Sequence, residues 1–176
     1  MMSSDSIGPV LAFYRKATEL ESKGHIVRAA ENFGRAAEAA RDLATGTDDL
    51  VTVDMQRSQA DVLLSYVTRV DHSTVQARVN TARCAEIVAL LSAVVAALER
   101  RRVAGMLLKD KCTAAEEAWE SVVLRDRQYS TVEAAHEAKL VGFNTFIFTG
   151  ASVLGLLDNA RLHARLHSPS SATKQS

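Results

Sequence analysis

Pro9 and Pro169 are the only prolines in 176 residues, so no proline interrupts the chain between positions 10 and 168. Proline lacks a backbone N–H and its ring clashes with the preceding helical turn. A proline-free span of this length leaves long helices open throughout. Ala, Leu, Glu, Arg and Lys fill that span and all favour helix. No run alternates strictly between apolar and polar residues, the pattern a half-buried strand would need. The expected class is all-α.

Apolar spacing of three and four predicts about six helices. The first carries Val10, Phe13, Ala17 and Leu20, with Ser6 and Pro9 as start signals. The second carries Ile26, Ala29, Phe33, Ala36, Ala40 and Leu43, and Gly24 sits in the turn before it. The loop 44–48 ends the second helix, and Thr47 or Asp48 is the expected cap of the third. That helix carries Val53, Ala60, Leu63, Val67 and Val70, with Gln56 interrupting the stripe. After a break at 71–73, where Asp71 or Ser73 is the expected cap, a fourth helix carries Cys84, Ile87, Leu91, Val94 and Leu98. It is apolar nearly all round from Ala85 to Leu98, which predicts that it is the central, buried helix. Arg100, Arg101 and Arg102 suit its C-terminal end, and Gly105 or Asp110 marks the stop. A fifth helix carries Cys112, Ala115, Trp119 and Val122; a sixth begins near Val132 and runs to about His163. Short loops make neighbouring helices antiparallel. The expected architecture is a set of consecutive antiparallel hairpins, arranged as an open array or a closed bundle. One helical domain over 9–167 lies between a flexible stretch 1–8 and a polar, disordered tail 168–176.

Lys plus Arg and Asp plus Glu both number 21, so the formal charge is zero. That balance argues against general attraction to nucleic acid or an anionic membrane surface. Two cysteines, Cys84 and Cys112, make no disulfide framework. The start lacks a basic segment followed by an apolar run, so no secretory signal is expected. Together these point to a cytoplasmic protein.

The residues Phe13, Ala17, Leu20, Gly24, Ala29, Phe33 and Ala36 form a ladder of bulky and small side chains across two helices. Over 10–43 this resembles a single tetratricopeptide repeat. Phe13 stands for the usual first aromatic, Ala17 for the small residue where helices meet, and Leu20 for the usual Tyr. Gly24 matches the turn, and Ala29, Phe33 and Ala36 match the small–aromatic–small ladder. Arg41 stands where the repeat-ending proline belongs, and the match covers about one fifth of the chain. A weaker echo falls at Ala115, Trp119 and Val122. The microtubule-interacting-and-transport domain, shorter than this chain, is similar over the same region. In tetratricopeptide proteins the first helix of each pair lines a groove that receives another protein. The resemblance therefore implies partner-binding positions at Tyr14, Thr18 and Glu21. The subgroup that grips C-terminal carboxylates has Lys and Asn at the first two, so that grip is not implied.

Few patterns carry chemistry. Glu133 and His136 share a helix face, but a di-metal carboxylate site needs a second such pair, and none occurs. His163 and His167 lie among Arg161 and Arg165 with no acidic partner nearby in sequence. No Gly-rich phosphate loop or nucleophile elbow is present. The basic run 100–102, with Lys109 and Lys111, is diluted by Glu99 and Asp110. The apolar run 141–157 reads as a core helix, or as a contact with an apolar ligand or membrane. The expected protein is a non-catalytic interaction module, with no metal or cofactor. It binds a peptide or helix of another protein, or a second copy of itself, in a groove. The alternative is a bundle that holds an apolar ligand or docks on a membrane through 141–157.

Overall fold

The computed structural model describes residues 4–44, 48–69, 74–105, 111–124 and 153–166. Six α-helices account for most of them, with no strand among the described residues. They are α1 (Gly8–Ser22), α2 (Ile26–Leu43), α3 (Leu50–Arg69), α4 (Thr74–Val103), α5 (Ala114–Trp119) and α6 (Val153–Leu166). A 3-10 turn, Ser4–Ile7, leads into α1, and a π-helical turn, Glu120–Leu124, continues α5. The chain is all-α, as its sequence predicts. Consecutive helices pack from α1 through α4, α6 packs on α4 and α3, and α5 lies against the 3-10 turn and α3. Ile7 belongs to the core.

The α1–α2 hairpin closes at Gly24, which has φ +80°. The Gly24 N–H donates to the Glu21 carbonyl at 3.0 Å and the His25 N–H to the Leu20 carbonyl at 2.9 Å. This pair of bonds is the Schellman arrangement, and it needs a residue that accepts the left-handed conformation. Ala17, Ala29 and Ala36 are wholly buried between the helices, with Phe33 beside them. Small side chains let the backbones approach and the ring fills the remaining space. On the next contact, a side chain added at Gly34 would meet Gln59 at 3.0 Å, so α2 lies close to α3 there.

Among the described helices the central one is α3, not α4. All six residues from Leu50 to Met55 are buried, and α3 touches α2, α4, α5 and α6. On α4 the buried set is Asn80, Cys84, Ile87, Leu91, Val94, Leu98 and Arg101, alternating steps of four and three along one seam, with Ala97 beside it. Ala85, Ala89, Ala93 and Ala96 are exposed on its other side. Alanine makes a helix look apolar all round while costing little to leave in water. Polar residues in α3 disguise its burial in turn: Thr52 and Asp54 are buried because both have hydrogen-bond partners. Arg83 stacks 4.5 Å from the centre of the Tyr66 ring and ties α4 to α3.

Other boundaries are sharper than the sequence pattern. Asp49 caps α3, accepting from the Thr52 N–H at 3.0 Å, whereas Asp48 has φ +67° and turns to α4. Thr47 lies outside the described residues, as do the caps expected at 71–73. α4 stops at Gly105, whose φ is +69° and whose N–H donates to the Arg102 carbonyl. The helix expected from Val132 is described only as α6; Glu133, His136, His167, most of the run 141–157 and the tail 168–176 lie outside the described residues.

Candidate functional site

Glu116 is the hub of a network of bonds among the described residues. Thr113 and Glu116 form a capping box on α5: the Thr113 hydroxyl accepts the Glu116 N–H, and Glu116 Oε1 accepts the Thr113 N–H at 2.8 Å. Glu116 Oε2 accepts the Leu50 N–H at 2.9 Å and a bond of the same length from Arg101 Nη1. One buried carboxylate thus caps the first turns of two helices and pairs with the end of a third. The Arg101–Glu116 pair is nearly sealed, with side chains 9% and 0% exposed. Such a pair holds only when its remaining donors and acceptors are satisfied, as they largely are here.

Beside it, Arg100 grips Asp48 through Nε at 2.8 Å and Nη2 at 2.6 Å, and Arg101 donates to the Asp48 carbonyl. These bonds hold Asp48 in its left-handed conformation. They keep its carboxyl below the ordinary range, chiefly through the Arg100 hydrogen bonds. Arg102 pairs with Glu99. Each of the three consecutive arginines therefore has its own carboxylate, and the run is not a free cationic patch. Burial pushes Asp49 upward, with the Glu116 charge adding to it and Thr52 opposing.

Behind this rim lies a cavity of about 620 Å³ between α2, α3 and α4. Arg41 from α2, Ala44, Asp48 and Asp49 from the connection, Thr52, Val53 and Gln56 from α3, and Ala93, Ala97 and Arg100 from α4 line it. The hollow exists because α4 presents alanines there; larger side chains at 93 and 97 would fill it. Its size suits a few side chains or a small molecule.

The residues implied by the tetratricopeptide resemblance lie on α1, away from this cavity. Tyr14 is half-buried, its ring 6.1 Å from Phe33 and 5.4 Å edge-on from Trp119. Trp119 is fully buried and donates from Nε1 to Asp54 at 2.9 Å, so it joins α5, α1 and α3. Thr18 donates to the Arg15 carbonyl, and Glu21 is exposed. The Tyr14 ring lies against the fully buried Trp119 and is itself only half-buried, as is Thr18. The signal that sequence reading passed over is Thr113-x-x-Glu116, which is the capping-box pattern.

The thiols are poor nucleophiles. Burial raises Cys84, and burial with the Glu116 charge pushes Cys112 up to about 11. Among the described residues no group of three His, Cys, Asp or Glu comes together as a metal site. No protein-family model matches the chain, and no curated protein or solved structure matches it.

Proposed function

We propose that this is a non-catalytic interaction module that receives a segment of another protein in the cavity between α2, α3 and α4. The observation that carries the reading is the cavity itself, where Val53, Ala93 and Ala97 stand beside charged and amide side chains. That composition is the usual one for recognition: apolar area for affinity and a few fixed polar groups for orientation. Among the described residues its lining holds no Cys, His or Ser. The Thr52 hydroxyl that lines it is bonded to Asp49. The resemblance of 10–43 to a tetratricopeptide hairpin supports the same class of role, in the cytoplasm.

The test is to fill the cavity. Ala97→Trp should abolish binding of peptides selected on the full-length protein, while Tyr14→Ala should lower the melting temperature and leave their affinity within about threefold. If Ala97→Trp binds them normally and Thr18→Ala does not, the α1 face of Tyr14, Thr18 and Glu21 is the site instead.

One observation favours a second reading. Val79–Val103 of α4 is long and apolar enough to cross a membrane, and only a third of that stretch is buried. Flotation of the purified protein with liposomes would favour that reading over the first.

A further inference from the structure

We propose that α4 opens locally from its Asn80 end, ahead of global unfolding and with its Arg101 end still tied, and that this opening uncovers the Cys84 thiol. The opening is independent of what the cavity between α2, α3 and α4 receives.

The buried seam of α4 carries a polar residue at each end, Asn80 and Arg101. The two ends are finished differently. Arg101 donates from Nη1 to Glu116 Oε2 at 2.9 Å and to the Asp48 carbonyl at 3.1 Å. Arg100 beside it adds two bonds to the Asp48 carboxylate. Asn80 is 0% exposed, yet neither its Oδ1 nor its Nδ2 has a hydrogen-bond partner. Arg83, three residues on, shares that side of the helix. Its Nη1 is sealed from solvent and also lacks a partner. What holds the Arg83 guanidinium is the Tyr66 ring, 4.5 Å away at its centre.

A buried donor or acceptor left unbonded has given up its hydration for nothing. At Asn80 and Arg83 water entering the seam restores that hydration, so separation there is partly offset. At Arg101 separation breaks a sealed ion pair and strands both charges. The easier parting is therefore at the Asn80 end, and sub-global openings start where the folded state is held least. Cys84 stands one turn beyond Asn80 on the same seam and is buried. Parting of α4 from its neighbours at Asn80 bares the Cys84 sulfur while Leu91, Val94 and Leu98 stay packed.

Labelling of the full-length protein with N-ethylmaleimide, with peptide mass spectrometry reading Cys84 apart from Cys112, tests this. In wild type the Cys84 rate should rise only weakly with urea below the unfolding transition, because a local opening exposes little surface. Asn80→Leu keeps a branched side chain of similar shape and removes both unbonded atoms. It should slow Cys84 labelling about tenfold and leave the Cys112 rate unchanged. Amide exchange should be faster around 80–87 than around 94–101. Simple fraying gives the opposite order, since Arg101 stands nearer its end of α4 than Asn80 does. A Cys84 rate that climbs with urea as steeply as global unfolding overturns the proposal. So does Asn80→Leu labelling as fast as wild type or faster, which would mean that water already serves the Asn80 amide. If Asn80→Leu does not fold, the urea dependence and the exchange order in wild type decide alone.

Discussion

The α1–α2 hairpin and the junction of α3, α4 and α5 both hold helix ends together, by opposite chemistry. The hairpin uses neighbours in sequence: Gly24 turns the chain, two backbone bonds close it, and alanines with one phenylalanine fill the contact. The junction uses residues far apart in sequence: Glu116 reaches the Leu50 N–H 66 positions away, and Arg100 reaches Asp48 across 52. The hairpin is apolar and tolerant, because each contact is small and several share the load. The junction is polar and concentrated, because one buried carboxylate serves three donors, the Thr113 and Leu50 N–H groups and Arg101. Losing a partner inside a buried network strands the others, so the same number of lost atoms should cost far more there.

That contrast is open to breakage. The largest effect should come from Glu116→Ala, which leaves Arg101 buried without its carboxylate and takes the acceptor from the Leu50 and Thr113 N–H groups. A loss of about 3–5 kcal/mol in urea unfolding is expected. A loss below about 1 kcal/mol would mean that water takes over the bonds and that the junction is as tolerant as the hairpin. Trp119→Phe keeps a ring against Tyr14 but removes the donor to buried Asp54, and should cost about 1–3 kcal/mol by the same measurement. Gly24→Ala probes the hairpin. No atom stands within 4 Å of the added methyl, so the only penalty is the left-handed backbone, about 1 kcal/mol.

The smallest effect is one of sign. Asp48 sits below its ordinary 3.8, so its stabilisation is present above that value and is lost as pH falls through the lowered one. Asp49 sits above 3.8, so its ionisation opposes folding once pH rises through the raised value. Relative to wild type, Asp48→Asn should therefore cost most near neutral pH and least in acid. Asp49→Asn, which keeps a capping oxygen, should show the reverse trend. Melting curves from about pH 3 to about pH 7 would show it; parallel trends for the two variants would mean that the rim is not divided in this way.

How much could be read in advance follows the same division. The helix class, the hairpin over 10–43 and the seam of Cys84, Ile87, Leu91, Val94 and Leu98 were all visible as spacing, and the structure buries that seam. The choice of α4 as the central helix failed because a count of apolar residues treats Ala89 and Ala93 like leucine. The cap of α3 shifted from Thr47 or Asp48 to Asp49, because Arg100 claims the Asp48 carboxylate from another helix. The cavity had no signature at all. Its walls come from three helices, and none of its residues is unusual on its own helix.

By itself, the sequence determined that this chain is helical, where its first hairpin turns, and which stripe of α4 is buried. Those outcomes depend on backbone bonds four residues long and on side chains three or four apart, distances that a sequence displays directly. The tertiary structure decided that α3 is central among the described helices, that Trp119 is buried against Tyr14, and that each arginine of 100–102 meets a different carboxylate. Those outcomes depend on which helix ends arrive together in space, where buried charges accept only partners at bonding distance.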